Sequence, residues 1–142
     1  MLVHAVLALT PFDADARALR DLTAVEARVL GLSDVDAAQA AAAVEHVLTH
    51  DLLQRARAAQ ARGSCRRETP VTLLLPDGVL VEGVVDLAFE EPGGWTVVDY
   101  KTDRDLEGDG LARYRRQVAI YAQAIATATG QNASGVILHV EI

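Results

Sequence analysis

The sequence predicts an α/β protein, with helices in its first part and strands in its second. Between Met1 and about Ala61 the chain is rich in alanine, and its apolar residues recur at helical spacing. After Gly63 the apolar residues alternate with polar ones or form β-branched runs between turn residues. A stretch of helical period at about 111–129 then precedes the last alternating segment. We therefore expect an N-terminal helical segment, a central mixed sheet, and a helix that crosses to a last strand.

Several helices are predicted in the first part. Ser33 is a suitable N-cap, and Asp34 and Asp36 follow it in the first turn of a helix that runs to about Thr49. The segment 51–61 continues as another helix. An earlier helix is indicated by apolar residues spaced for one face: Leu19, Leu22, Val25, Val29 and Leu30.

The second part begins with three predicted strands. Val71 to Leu75 is a short strand, the turn 76–78 follows, and Val79 to Phe89 is the second strand of a hairpin. A glycine-containing turn at 91–94 leads to a third strand from Trp95 to Lys101, which is rich in β-branched and aromatic residues.

Polar residues 102–110 lead into the predicted helix 111–129, with Gly130 at its C-terminal cap. Ser134 to Ile142 alternates as the last strand. The length of 142 residues suits one domain. We interpret residues 1–142 as that domain, with a helical part at 1–62 and the sheet and active-site core at 63–142.

Composition excludes several classes of protein. One cysteine, Cys65, allows neither an internal disulfide nor a four-cysteine iron-sulfur cluster, so a metal would need oxygen or histidine ligands. No apolar stretch is long enough to cross a membrane, and we expect an intracellular, cytoplasmic protein without a membrane partner. The net charge of −7 argues against a domain that binds DNA on its own.

The residues that suggest chemistry are two acids and a lysine. Arginine occurs twelve times and lysine once, so Lys101 stands out. Asp99 and Lys101 are two apart in a strand and share a face, while Tyr100 points the other way. Asp86 follows the mostly apolar run 79–85, where an acid is costly unless water, a cation or a hydrogen bond meets it.

This set fits phosphodiester hydrolysis with Mg²⁺ or Mn²⁺. Mg²⁺ binds one or two carboxylates and keeps several waters, and Asp86 and Asp99 suffice for that. Lys101 would orient the attacking water and stabilise the developing charge. On the following helix, Gln117 and Tyr121 lie on one face, with Tyr114 on the same side. His4 lies in an apolar helical turn, where it is either a core histidine or a further metal ligand.

These residues stand in segments that resemble the RecB-like nucleases of the PD-(D/E)XK superfamily, especially the C-terminal nuclease domain of RecB/AddA-type helicase-nucleases. The resemblance covers nearly the whole chain. Its motifs are Leu2-Val-His-Ala-Val-Leu7, Arg67-Glu-Thr-Pro70, Gly83-Val-Val-Asp-Leu87, Val98-Asp-Tyr-Lys-Thr-Asp103 and Gln117-Val-Ala-Ile-Tyr121.

The resemblance implies a restriction-endonuclease-like fold with an α-β-β-β-α-β core, and it implies roles for residues in all but one of the motifs. His4, Asp86, Asp99 and the Tyr100 carbonyl resemble metal ligands, and Lys101 resembles the catalytic lysine. The residues that would face DNA are Thr102, Gln117 and Tyr121. Glu68 also matches, without an assigned role. The four cysteines with which some relatives bind an iron-sulfur cluster are missing.

The expected function is that of a metal-dependent DNA exonuclease domain in a UvrD/RecB-type ATP-dependent helicase-nuclease, acting in double-strand-break processing and repair. Its partners would be DNA, a helicase domain of the same polypeptide and a second helicase-nuclease subunit. The start only three residues before His4 suggests an excised fragment. Two alternatives stay open: a non-catalytic DNA-end-binding or scaffolding module, and a stand-alone restriction or junction-cleaving enzyme.

Overall fold

The computed structural model describes residues 1–142 and contains five helices and a four-stranded mixed sheet. This confirms the predicted fold class and the order of its elements. The elements are α1 Leu2–Leu9, α2 Ala16–Val29, α3 Asp34–Leu48, α4 Asp51–Ala61, β1 Cys65–Leu74, β2 Leu80–Glu91, β3 Gly94–Thr102, α5 Gly110–Thr129 and β4 Ala133–Val140.

The chain forms two compact units. One comprises Met1–Arg57 with Val140–Ile142, and the other comprises Ala58–His139. In the first unit, helices α1, α2 and α3 pack against one another. The second unit contains the sheet and α5, and hence most of the predicted site. None of the five helices combines the length and the apolar character that a membrane-spanning helix requires.

Helix α2 buries only part of the predicted face, which included Leu19. Its buried residues are Leu19, Thr23 and Ala27, at successive intervals of four, and the Thr23 hydroxyl donates to the Leu19 carbonyl at 2.7 Å. Val25 and Val29 are 53% and 74% exposed, so their assignment to the packed face was wrong. Thr23 and Ala27 complete the buried face instead. The polar Thr23 can be buried because its hydroxyl forms a hydrogen bond within the helix.

Helix α3 begins at the predicted residue. The Ser33 hydroxyl accepts from the Asp36 amide at 3.1 Å, and the Asp36 carboxylate accepts from the Ser33 amide at 3.2 Å. This reciprocal pair satisfies two of the backbone donors that the first turn of a helix leaves free. The cap fixes where the helix starts after the turn at Gly31.

The sheet has the strand order β1-β2-β3-β4, with β1, β2 and β3 antiparallel in sequence and α5 connecting β3 to β4. Strand β1 begins at Cys65, six residues before the predicted start at Val71, and pairs with β2 from Cys65↔Phe89 onward. The charged residues 66–68 and Pro70 hid this half of the strand. They are tolerated because β1 lies at the sheet edge.

The alternation of β2 is interrupted at Asp86. Val85 and Ala88 belong to one apolar cluster with Val118 of α5, although strict alternation would place residues three apart on opposite faces. In β1 the matching position is Glu68, between the pairs Arg67↔Leu87 and Thr69↔Val85, and its φ is 47°. Such an irregularity re-aims a side chain, and here that side chain is the Asp86 carboxyl.

The packed core of the second unit lies between the sheet and α5. Its buried residues are Val85, Ala88, Val97, Val118, Ala122 and Ile125. Gly130 ends α5 in a left-handed conformation with φ 70°, as predicted. This packing fixes one face of α5 over the strands that carry Asp86 and Asp99.

We expect Ser33→Ala to lower the free energy of unfolding by about 1 kcal/mol, because the Asp36 amide loses its acceptor. Urea denaturation followed by circular dichroism measures the change. Ser134→Ala is the matched control, since Ser134 is exposed and caps no helix. Equal stability of Ser33→Ala and the wild type would show that the cap does not contribute.

Candidate active site

Asp86 and Asp99 lie where strands β2 and β3 separate. Their backbone pairing ends at Leu87↔Val98, one residue short of the two acids. Beyond that pair, the Tyr100 amide donates to the Asp86 carboxyl at 2.8 Å instead of to a backbone carbonyl. The Asp86 carboxyl group thus takes the place of a backbone carbonyl as the acceptor of this hydrogen bond, which fixes the side chain. Its second oxygen is left for other partners.

The two carboxyl groups interact directly. Burial raises the pKa of Asp86 from 3.8 to about 7, and its side-chain hydrogen bond with Asp99 acts in the same direction, against the opposing effect of the Tyr100 amide. Asp99 is 6% exposed, and its Oδ2 is buried without a hydrogen-bond partner. A buried oxygen without a partner next to a second carboxyl group is costly unless a proton or a cation meets it.

Lys101 completes the cluster on the predicted face. Its Nζ lies 3.5 Å from Asp99 Oδ2, and its side chain is only 14% exposed. The predicted common face of Asp99 and Lys101 is therefore confirmed. Tyr100, between them in the strand, is 3% exposed, and burial raises the pKa of its hydroxyl above the usual range.

Glu68 lies beside Asp86 on the neighbouring strand. It is exposed, and its negative charge contributes to the raised pKa of Asp86. A positive φ is uncommon for a residue other than glycine and costs on the order of 1–3 kcal/mol where the surrounding fold imposes it. No sequence pattern marked this conformation, because it arises from the pairing of β1 with the interrupted segment of β2.

Helix α5 brings two tyrosines close to this cluster. The Tyr114 ring lies over Lys101, with Nζ 4.0 Å from the ring centre. Burial raises the pKa of Tyr121, and the negative charge of Asp99 raises it further. The Tyr121 hydroxyl therefore lies close enough to the carboxyl pair to feel its charge. Gln117 is half-buried between them, three residues after one tyrosine and four before the other.

The close approach of α5 depends on Gly83. A Cβ at this position would lie 2.6 Å from Cζ of Tyr121, closer than side chains pack. The absence of a side chain on β2 therefore makes room for the tyrosine ring. The sequence placed Gly83 in a motif but gave no sign of which ring it accommodates.

Thr102 and its neighbours form the turn after β3. The Thr102 amide and hydroxyl both donate to the Asp105 carboxylate, at 2.9 and 3.1 Å. Asp103 forms a hydrogen bond with His139 of β4, a contact that the sequence did not indicate. The turn is thus held at two points, and the Thr102 hydroxyl proton is engaged within the protein.

His4 lies in α1, within the other compact unit, and is half-buried. The His4 side chain has an interaction partner, which is compatible with a core histidine and with a metal ligand. Both interpretations of His4 stay predictions. The structure contains no group of three or more His, Cys, Asp and Glu side chains arranged to hold a metal ion.

The pair Asp86 and Asp99 nevertheless suits a divalent cation. Asp99 is buried, Asp86 beside it is half-buried, and one Asp99 oxygen makes no hydrogen bond, so a bound cation would offset the repulsion between the two acids. Carboxylate oxygens are the ligands that Mg²⁺ and Mn²⁺ prefer, and Mg²⁺ is commonly held by one or two of them with water. The residues present therefore fit such an ion.

Comparison with known protein families identifies the family of this chain. The chain belongs to the PD-(D/E)XK nuclease superfamily, whose family model matches residues 1–141. This family generally uses divalent metal ions. The motif-based resemblance to these nucleases is thereby confirmed.

The chain is similar to parts of three proteins described as subunits of an ATP-dependent helicase/nuclease. It is 40% identical to the one from Desulforudis audaxviator over 76 residues, 34% identical to the one from Listeria welshimeri over 101, and 40% identical to the one from Alkaliphilus metalliredigens over 68. These matches cover 42%, 56% and 46% of this chain, but only 6%, 8% and 6% of the relatives. The chain thus corresponds to less than a tenth of each relative.

We expect Gly83→Ala to lower the free energy of unfolding by about 1–3 kcal/mol, because the new methyl group must displace the Tyr121 ring. Chemical denaturation measures the loss. Gly93→Ala is the control, since a Cβ there meets nothing within 4 Å. If the two variants are equally stable, Tyr121 does not pack against Gly83 in solution.

We expect the protein without metal to lose stability as the pH rises from about 4 to 7. The folded state holds the Asp86 proton up to a pKa of about 7, whereas the unfolded state releases it near 3.8. The loss is at most about 4 kcal/mol, since each pKa unit corresponds to about 1.4 kcal/mol.

Urea unfolding in chelator at pH 5 and pH 8 tests this expectation. Asp86→Asn should remove most of the difference between the two pH values, and Asp13→Asn, an exposed control, should leave it unchanged. A wild-type protein that is equally stable at both pH values would show that the Asp86 pKa is not raised.

Proposed function

We propose that this chain is the metal-dependent nuclease domain of an ATP-dependent helicase-nuclease that degrades DNA from its ends during double-strand-break processing. The observation that carries the proposal is the pair of half-buried Asp86 and buried Asp99, with Lys101 at 3.5 Å from the Asp99 oxygen that makes no hydrogen bond. An acid pair without hydrolytic use would be a costly feature of a sheet. The family membership and the helicase/nuclease relatives support the same function.

In this proposal Asp86 and Asp99 hold Mg²⁺ or Mn²⁺, with the Tyr100 carbonyl and His4 as further ligands. The ion would polarise the scissile phosphate and make water more acidic. Lys101 would orient the attacking water and stabilise the negative charge that develops on the phosphate. Glu68, beside Asp86, would add negative charge to the same region.

Helix α5 and the turn after β3 would contact DNA. Tyr121 of α5 lies close enough to Asp99 for that charge to affect its hydroxyl, Gln117 is one helical turn before it, and Thr102 begins the turn that follows Lys101. Gln117 and Tyr121 would donate hydrogen bonds to a phosphate or a base edge, and the Thr102 hydroxyl oxygen, whose proton Asp105 accepts, would accept one from a base edge. The exposed Arg113, Arg115 and Arg116 on α5 would add electrostatic attraction.

A net charge of −7 argues against strong autonomous binding to DNA as the basis of activity, because non-specific affinity comes mainly from neutralised phosphates. We infer that the DNA is delivered by a helicase domain of a longer polypeptide, working with a second helicase-nuclease subunit. Delivery raises the local concentration of the strand at the site, so that tethering replaces intrinsic affinity.

We expect Asp86→Asn, Asp99→Asn and Lys101→Arg each to reduce cleavage by about 100-fold or more, since each removes a group that acts on the transition state. Lys101→Arg tests chemistry beyond charge, because a guanidinium is larger and stays protonated. Cleavage of end-labelled linear duplex with Mg²⁺ or Mn²⁺ is measured in the chain and in its helicase-containing parent.

Asp13→Asn should cleave like the wild type, because Asp13 is exposed in the helical unit. Wild-type cleavage by any of the three site variants would remove that residue from the mechanism. A parent protein that binds DNA ends but never cleaves them, with either metal ion, would favour the non-catalytic end-binding function.

A further inference from the structure

The Tyr114 ring lies directly against the only lysine in the chain. The Lys101 Nζ is 4.0 Å from the ring centre, within the range of a cation–π interaction. Resting on the proposed function, we propose that Tyr114 is a positioning residue, whose ring holds the Lys101 ammonium beside the carboxyl pair while a metal ion and DNA occupy the site.

Lys101 needs such a contact because its other partner is shared. Its ion pair with Asp99 is 3.5 Å long, and that Asp99 oxygen makes no hydrogen bond. The same oxygen is the one a divalent cation would bind, and the cation would repel the ammonium. A lysine side chain has four rotatable bonds and loses about 2 kcal/mol of rotamer entropy when it is fixed, so it would leave unless another group held it.

An aromatic ring is suited to this task where a carboxylate is not. Its π face attracts a cation through the ring quadrupole but offers no oxygen to compete for the metal ion. The attraction therefore persists when the charge of Asp99 is taken up by the metal. Tyr114 can hold Lys101 in both states of the site.

The ring is itself fixed by its surroundings. The Arg113 guanidinium carbon lies 4.8 Å from the ring centre, and Arg113 Nη2 donates to the Tyr114 hydroxyl at 3.3 Å. The ring edge also lies close to Gly110 in the first turn of α5, since a Cβ at that position would be 3.8 Å from it. The contact with Lys101 uses the ring, whereas the contact with Arg113 also uses the hydroxyl, so Tyr114→Phe and Tyr114→Leu separate the two.

The unique lysine allows a direct test of the contact without activity. Labelling with ¹³C,¹⁵N-lysine gives a single set of side-chain signals, all from Lys101. We expect the ring current of Tyr114 to shift the Lys101 Cε protons upfield of their position in the urea-unfolded protein. The shift should persist in Tyr114→Phe and be lost in Tyr114→Leu. A wild-type signal at the unfolded position would overturn the proposal, whatever the variants do.

Kinetics then tests what the contact does. We expect Tyr114→Leu to lower kcat about tenfold, with the DNA dissociation constant in Ca²⁺ unchanged, and Tyr114→Phe to recover most of that rate. A loss confined to DNA binding would overturn the proposal and make Tyr114 a DNA contact. If Lys101→Arg cleaves like the wild type, the catalytic role proposed for Lys101 is wrong. The NMR spectrum of the labelled lysine still tests the contact between Lys101 and the Tyr114 ring separately.

Discussion

The hydrogen bond from the Tyr100 amide to the Asp86 carboxyl is the interaction on which the candidate site depends. Two antiparallel strands normally satisfy their amides with backbone carbonyls, and β2 and β3 do so only as far as Leu87↔Val98. Beyond that point the strands separate, and the side chain of one strand satisfies the backbone of the other. The bond closes the end of the ladder and at the same time fixes an acid against Asp99. A neutral side chain could close the ladder, but it could not supply charge for a cation.

The separation of the strands also determines what packs above them. The interruption at Asp86 turns Val85 and Ala88 toward the same cluster, so α5 keeps an unbroken apolar contact across the irregular segment. Gly83 then admits the Tyr121 ring, which brings the polar face of α5 down to the carboxyl pair. The positive φ of Glu68 is the strain that accompanies this arrangement on the neighbouring strand. Packing and strain are therefore concentrated at the position where the acids are needed.

The sequence predicted those features that depend on local periodicity. The period of two put Asp99 and Lys101 on one face, the period of 3.6 put Tyr114, Gln117 and Tyr121 together, and Ser33 marked a helix start. Features that depend on pairing between distant segments were missed. The first half of β1 is charged and becomes a strand only through its partner β2, and the contact between Asp103 and His139 joins the turn after β3 to β4. The buried face of α2 was partly mistaken because Thr23 and Ala27 are not hydrophobic enough to mark it.

The choice of lysine over arginine follows from the Asp99 oxygen that makes no hydrogen bond. Twelve arginines show that this chain uses guanidinium wherever a positive charge suffices. At position 101 a guanidinium would form two parallel hydrogen bonds to the Asp99 carboxylate, since its fork matches that geometry. Both oxygens would then be occupied, and a cation would have to displace them. The ammonium instead stays 3.5 Å away, supported by the Tyr114 ring, and leaves the oxygen without a hydrogen bond. In the proposed function this incomplete ion pair leaves Asp99 able to bind a metal ion, which a complete ion pair would exclude.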